Sequence, residues 1–247
     1  MTEAEWLACA DPRPMVLHLG RQPAGERKLR YFVFACLRRL WDDVPAEPLK
    51  RAIEASERHA DGLIDERELG AAVTAANRAR PSRNPVARAA YDAARYTPGG
   101  DFSGVHWDSV TMLLARAAAS RAVRNVPPTT YLYVDGGKVI AVKVPMNRAR
   151  RKWDARRGAE SAAQCDLIRE VFGNPFRPIT PDPAWRTPAV LPLAETIYIE
   201  RAFHRLPELA VALMHAGCTN ADVLAHCRER GPHVRGCWVV DLVLDKR

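Results

Sequence analysis

The stretch ERKLRYFVFACLRRLWDDV, residues 26–44, carries the clearest secondary-structure pattern in the chain. Its apolar residues recur at steps of three and four, which is the spacing of one face of an α-helix. They are Leu29, Phe32, Val33, Cys36, Leu37, Leu40 and Trp41. Pro45 follows and cannot continue a helix, because it has no backbone N–H to donate. The pattern predicts a core helix that ends before Pro45.

Helical spacing extends over most of the chain and predicts a mainly α, multi-helix, bundle-like fold. Residues 1–80 are predicted to form an N-terminal helical bundle. Within it, the segment HADGLIDERELG, residues 59–70, has a glycine suited to end one helix and an Asp65/Glu68 capping box suited to begin the next. A calcium loop is disfavoured there, because Glu57 and His59 stand where the loop needs its first carboxylates.

The segment TTYLYVDGGKVIAVKVP, residues 129–145, departs from this pattern. Two runs rich in Tyr, Val and Ile flank Asp135-Gly136-Gly137, which predicts one small β-hairpin near residues 130–144. Together with the basic run RARRKWDARRG, residues 148–158, the hairpin belongs to a variable basic insert predicted over residues 81–158. Residues 159–247 are predicted to form a C-terminal helical part that packs on the first.

The basic residues are concentrated in one window. The chain carries a formal charge of +8, and residues 116–157 hold eleven Lys and Arg against two acids. Cations beside aromatic rings suit nucleic acid or another polyanion, although a solvated helix face gives the same pattern. The candidate contact residues are Lys138, Lys143, Arg148, Arg150, Arg151, Lys152, Trp153, Arg156 and Arg157.

The segment HCRERGPHVRGCWVVD, residues 226–241, is the densest in cysteine and histidine. Candidate metal ligands are Cys227, His233 and Cys237, with zinc as the metal that suits thiolate and imidazole. His226 and Cys227 are neighbours on a predicted helix and point about 100° apart, so only one of them contributes. A fourth ligand is missing unless a distant residue such as Cys36 approaches. The expectation is therefore no cofactor, with zinc as the alternative.

The sequence contains none of the common catalytic motifs that would indicate an activity. The G-x-S-x-G, H-E-x-x-H, P-loop and Rossmann patterns do not occur, which leans against an enzyme. The leading hypothesis is a non-enzymatic protein-interaction or adaptor module with a protein partner. The first alternative is nucleic-acid or polyanion binding through the basic insert. The second is a zinc-stabilised module, or an enzyme, centred on His233 and Cys237.

The N-terminus has no signal-peptide pattern, and no apolar run approaches the roughly 20 residues needed to cross a bilayer. We therefore expect a cytoplasmic protein with free thiols and no membrane partner.

Several stretches resemble a family of functionally uncharacterised planctomycete proteins. They are WLACADPRPM, GERKLRYFVFACLRRLW, LIREVFGNPFRP, AETIYIERAFHRLPELAVALMHAGC and LAHCRERGPHVRGCWVVDLVL, which lie within residues 1–70 and 160–247. The resemblance implies a helical N-terminal part, a variable alanine-rich middle and this C-terminal ending. It implies no activity, cofactor or site residue. In this chain the hairpin and the basic run stand where the family has an alanine-rich helix.

Overall fold

The structure is a computed structural model that describes residues 1–19, 26–79, 86–87, 114–115, 118–119, 128–135, 138–145 and 148–246. The protein is mainly helical, as the apolar spacing predicts. The N-terminal helices are α1 (Glu3–Ala8), α2 (Pro12–Leu19), α3 (Glu26–Arg39), α4 (Glu47–Ala60) and α5 (Glu66–Ala79). The predicted core helix is α3. Most of residues 81–127, the first part of the predicted basic insert, lies outside the described residues.

Strands β1 (Pro128–Asp135) and β2 (Lys138–Pro145) pair antiparallel, in a register from Pro128 opposite Pro145 to Asp135 opposite Lys138. The predicted turn residues Gly136 and Gly137 lie outside the described residues. Helix α6 (Arg148–Phe172) follows and contacts β2. This helix runs unbroken through residues 158 and 159, where the sequence predicts the boundary between insert and C-terminal part. The basic run and the start of the C-terminal part therefore share one helix.

The C-terminal part continues with α7 (Val190–Glu200), α8 (Leu206–His215), α9 (Ala221–Arg228) and α10 (Trp238–Leu244). Short 3-10 turns lie at Trp41–Asp43, Pro183–Trp185 and Phe203–Arg205. Within the described part of the chain, no helix has both the length and the apolar character needed to cross a membrane.

Helix α3 is the centre of the first apolar cluster, which also holds residues of α1, α2, α4 and α6. Every residue from Leu29 to Leu37 is buried. This includes Tyr31 and Phe34, which lie outside the apolar stripe, the helix face predicted from the sequence to be buried. Because every residue from Tyr31 to Leu37 is apolar, this part of α3 has no polar face, and neighbouring elements cover all of its sides. The stripe therefore predicted the helix but understated its burial.

A second apolar cluster joins helices α7 to α10 with Trp185, the anchor of the proline-rich segment that precedes α7. The short helix α9 begins at Asn220, whose side chain accepts a hydrogen bond from the Val223 backbone N–H at 3.1 Å. Such a cap satisfies one of the backbone donors that a helix start leaves without a partner. It fixes where α9 begins and hence where its later residues point.

A buried charge network joins α3 to the second cluster. The Arg27 guanidinium donates hydrogen bonds to both carboxylate oxygens of Asp241, at 2.7 and 3.2 Å, and to the Tyr198 hydroxyl at 2.7 Å. It also lies 3.4 Å from Asp61, which accepts a hydrogen bond from Tyr198. The side chains of Asp241 and Asp61 are 1% and 2% exposed. Burial raises the pKa of Asp241, and the neighbouring Arg27 opposes that rise.

The chain before α10 approaches α3 closely at Gly236. This glycine has a φ of +90°, and a Cβ placed on it would lie 2.7 Å from the Cβ of Tyr31. Both the backbone conformation and the space therefore require glycine. This contact sets the position of Cys237 and the start of α10.

Candidate metal centre

Four metal-binding side chains converge where α6, α9 and α10 meet. Glu170 lies in the last turn of α6, His226 lies on α9, His233 lies in the connection, and Cys237 is the residue directly before α10. One donor atom from each side chain lies within 4.8 Å of the other three. The sequence distance from Glu170 to His233 is 63 residues, so only the fold brings them together.

The distances within this cluster are short. His226 Nε2 lies 3.2 Å from Glu170 Oε2 and 3.2 Å from Cys237 Sγ. His233 Nδ1 lies 3.1 Å from Glu170 Oε2. The side chains of Glu170, His233 and His226 are 3%, 8% and 13% exposed, and Cys237 is 1% exposed. The Glu170 carboxylate therefore sits in a largely dry site and depends on these neighbours for hydrogen bonds.

The neighbours of His233 define its protonation. Its Nδ1 faces the Glu170 carboxylate, and its Nε2 lies 2.9 Å from the backbone carbonyl oxygen of Glu229. Both partners are acceptors only, so both ring nitrogens of His233 must donate. His233 is therefore an imidazolium that neutralises the Glu170 charge.

The pKa shifts agree with this ion pair. Burial on its own raises the pKa of Glu170, but the hydrogen bonds from His226 and His233 outweigh it, and the pKa lies below its ordinary value. Burial on its own lowers the pKa of His233, but the hydrogen bond and charge of Glu170 outweigh it and raise the pKa. Burial raises the pKa of Cys237 well above its ordinary value, so this sulfur is a neutral thiol.

His226 is held in one tautomer. The indole N–H of Trp238 donates to His226 Nδ1 at 3.1 Å. Because an indole N–H only donates, Nδ1 accepts and Nε2 carries the proton of the neutral ring. That proton points at Glu170 and Cys237.

The charge of this cluster suits a divalent metal ion. Glu170 and His233 together carry no net charge while Cys237 is a thiol. A divalent ion that displaces one proton from His233 and one from Cys237 leaves two anionic ligands, so the site remains neutral. The main obstacle to burying an ion is the net charge that it adds to a site shielded from water. Exchange of two protons for one divalent ion adds no net charge, so this obstacle is absent here.

The second ring nitrogen of each histidine also has a hydrogen-bond partner. The partner of His233 favours metal binding, whereas the partner of His226 opposes it. A metal-bound imidazole usually donates its second N–H to a carbonyl or carboxylate oxygen, as His233 does to Glu229. His226 instead accepts from Trp238 at its second nitrogen. Binding through His226 Nε2 moves its proton to Nδ1, and the Trp238 N–H must then turn away.

The predicted metal ligands divide into two groups. His233 and Cys237 belong to the cluster, whereas Cys227 does not. Cys227 lies in the apolar interior of the second cluster, where burial raises its pKa to about 12. His226 is therefore the member of the adjacent pair that contributes.

Glu170 is the residue that the sequence analysis missed, and Cys36 does not supply the fourth donor because it packs in the first apolar cluster. A buried-facing glutamate near a helix end gives no distinctive signal in the sequence.

The predicted polyanion contacts lie on β2 and α6. Lys138 and Lys143 lie on β2 and Arg148 begins α6, but their side chains fall outside the described residues. The candidates with exposed side chains on α6 are Arg150, Arg151, Lys152, Arg156 and Arg157. Trp153 is only 8% exposed, and the Arg157 guanidinium lies 5.6 Å from its ring centre. Trp153 therefore packs inward and does not present a stacking face to a ligand.

Comparisons of the chain with protein-family profiles, with curated protein sequences and with solved structures return no match.

Proposed function

We propose that the protein is a non-enzymatic interaction module whose C-terminal part is stabilised by one bound zinc ion. The observation that carries this proposal is the convergence of Glu170, His226, His233 and Cys237, with donor atoms within 4.8 Å of one another. Zinc–ligand bonds of about 2.0 to 2.3 Å require the donors to close in by a small further movement. The N-terminal helices then serve as a bundle-like scaffold for this part.

The donor chemistry supports zinc over other common ions. One thiolate, two imidazoles and one carboxylate form a borderline set that suits zinc and neighbouring transition metals. Calcium and magnesium prefer oxygen ligands, of which this cluster offers only Glu170. Because Cys237 must be a reduced sulfur, the proposal also requires a reducing compartment such as the cytoplasm, and all six cysteines are free.

The ligand count supports a structural role for the metal. Catalytic zinc sites keep one position open for water or substrate, whereas four protein ligands close the coordination sphere. The four residues bring together α6, α9 and the start of α10. Metal-binding free energy then becomes folding free energy of this part of the protein.

The test is metal analysis of the full chain. Purified protein is loaded with zinc, freed of excess by gel filtration and analysed for metal content. We expect about one zinc per chain in the wild type, and loss of the metal in Cys237→Ser and Glu170→Gln. Cys227→Ala is the matched control, because it removes a buried thiol next to His226 but none of the four donors.

Cobalt substitution provides a spectroscopic readout of the same ligands. Cobalt bound by four ligands including a thiolate shows strong visible absorption and a sulfur-to-cobalt charge-transfer band. We expect both in the wild type and in Cys227→Ala, and loss of the charge-transfer band in Cys237→Ser. A wild type that retains no stoichiometric metal overturns the proposal, and equal loss of metal in Cys227→Ala overturns the ligand assignment.

A second candidate function is polyanion binding, favoured by the exposed cations of α6. Arg151, Lys152 and Arg156 are all exposed, whereas Arg150 lies 3.5 Å from Asp154. Fluorescence anisotropy with labelled oligothymidylate in rising salt tests it. Replacement of the three exposed cations by glutamine is expected to weaken binding and reduce the salt slope by roughly 0.7 per lost phosphate contact. No binding at low ionic strength removes this candidate.

A further inference from the structure

A cavity of about 780 Å³ lies between α3, the end of α6 and α10. Its volume is in the range of small-molecule sites, which is roughly 300 to 1,000 Å³. Much of its wall is apolar and comes from Leu19, Phe172, Ile179, Trp238 and Leu242. Such walls suit the hydrocarbon or aromatic body of a ligand.

Lys28 is the polar feature that distinguishes this wall. Among the residues that the structure describes, its ammonium group has no hydrogen-bond or ion-pair partner. Burial lowers the pKa of Lys28, Arg27 adds to the effect, and Asp241 opposes it. Lys28 is half-buried. A cation partly removed from water with no counter-ion among the described residues is unfavourable, so an anionic ligand group gains an interaction that water provides only in part.

None of the described acids that line the cavity forms an ion pair or hydrogen bond with Lys28. Asp241 is engaged by two hydrogen bonds from Arg27. Glu3 is engaged by Arg177, at 2.5 Å, and by Asn174.

The remaining acids, Asp222 and Asp245, are exposed at the rim. A second cation, Lys246, is half-buried in the wall, with its Nζ 4.5 Å from the centre of the Tyr198 ring. The interior of the cavity therefore favours an anion, and the exposed acids lie toward solvent.

We infer that this cavity binds a small carboxylate with an apolar body, and that Lys28 pairs with the carboxylate. The side chains of Phe172, Ile179 and Trp238 then contact the apolar body. This inference goes beyond the proposed function, because none of the four metal donors lines the cavity. Its test therefore runs with metal present and again after chelation.

The probe is octanoate, titrated into the full chain by calorimetry, with 1-octanol and octylammonium as probes of the same apolar body. We expect octanoate to bind the wild type and octylammonium to bind at least about tenfold more weakly, because only octanoate pairs with the cation. Lys28→Met is expected to weaken octanoate binding by about tenfold or more, and to change octanol binding by less than about twofold. Lys28→Arg retains the charge and is expected to retain binding.

The matched control is Lys50→Met, which removes a half-buried lysine of α4 that does not line the cavity. We expect its octanoate affinity to equal that of the wild type. The pH dependence of the wild type gives a readout that needs no variant. Octanoate affinity falls as the pH rises through the pKa of Lys28, below the ordinary 10.5 of a lysine, because the neutral amine offers no counter-charge.

Three results overturn the inference. They are no octanoate binding by the wild type at millimolar concentration, equal binding of octanoate and octylammonium, and unchanged octanoate affinity in Lys28→Met. Trp238 lines the cavity and also donates a hydrogen bond to His226, so these three results are read in the metal-free protein. Failure of the cavity proposal is then distinguishable from failure of the zinc site.

Discussion

Replacement of Arg27 by methionine tests the buried charge network that joins α3 to α7 and α10. Methionine keeps an unbranched, largely apolar side chain but removes the guanidinium and the three hydrogen bonds it donates to Asp241 and Tyr198. The Asp241 side chain is 1% exposed, so water does not replace the lost donors. The substitution therefore leaves a buried carboxylate without its cation.

The size of the effect follows from these contacts. Removing one partner of a buried ion pair costs about 3–5 kcal/mol. Asp61 also loses Arg27, but Arg235 remains 3.6 Å from its other oxygen and limits the added loss. We expect Arg27→Met to lower the free energy of unfolding by about 3–5 kcal/mol, a large share of the roughly 5–15 kcal/mol that stabilises a typical domain.

Urea unfolding followed by circular dichroism measures this loss, in a double-mutant cycle with Asp241→Asn. The double variant has no orphaned charge at residue 241, so we expect it to be more stable than Arg27→Met alone. In Arg27→Met the pKa of Asp241 rises further, because burial continues to raise it and Arg27 no longer opposes the rise. The folded variant then binds a proton more readily than the unfolded chain, so its deficit shrinks as the pH falls.

Two results contradict this reasoning. One is an Arg27→Met protein within about 1 kcal/mol of the wild type at pH 7, below the range for a buried pair. The other is a double variant whose loss equals the sum of the single losses.

Three further predictions concern the metal cluster and two glycines. In metal-free protein the Glu170–His233 pair contributes most to the free energy of unfolding between about pH 4.5 and 6.5. The lowered pKa of Glu170 adds stability above pH 4.5, and the raised pKa of His233 adds stability below pH 6.5. Urea unfolding against pH measures this, and His233→Gln should flatten the profile. Zinc affinity, measured against a chromophoric chelator, should rise with pH because binding releases two protons, and a pH-independent affinity contradicts the exchange. Gly236→Ala should cost at least about 1–3 kcal/mol in urea unfolding, since its Cβ meets Tyr31 at 2.7 Å. The control is Gly70→Ala in α5, where an added Cβ meets no atom within 4 Å. This substitution should raise the free energy of unfolding by about 0.5–1 kcal/mol.

Local patterns determined much of the fold. The mainly helical character is confirmed, and α3 ends at Arg39, ahead of Pro45. The predicted stop at Gly62 has a φ of +70°, and the Asp65 side chain accepts from the Glu68 backbone N–H at 2.8 Å at the start of α5. These features depend on residues a few positions apart, so the sequence contains all the information needed to predict them.

Packing decided what the apolar stripe did not. Tyr31 and Phe34 lie off the stripe, yet both are buried because α4, α6 and the C-terminal network surround α3. Trp153, predicted to face a ligand among exposed cations, is only 8% exposed. The periodicity of a helix shows which residues share a face, but only its neighbours decide how many faces are covered.

The candidate metal-binding cluster of Glu170, His226, His233 and Cys237 shows the same division. The sequence by itself identified the segment from His226 to Asp241 and two of its donors, His233 and Cys237, because they are close in the chain. It also predicted that only one of His226 and Cys227 contributes, because successive residues of a helix point in different directions. Which of the two contributes was left open, as was the fourth donor.

The tertiary structure decided both. Glu170 reaches His233 across 63 residues, and Arg27 reaches Asp241 across 214. Charged side chains at such separations leave no mark on local periodicity, since their pairing depends on how whole helices pack. The sequence by itself therefore determined the helices, their ends and a segment rich in metal-binding residues. Only the packing of α3, α6, α9 and α10 decided which of those residues meet, because a buried charge must find its partner wherever the folded chain places one.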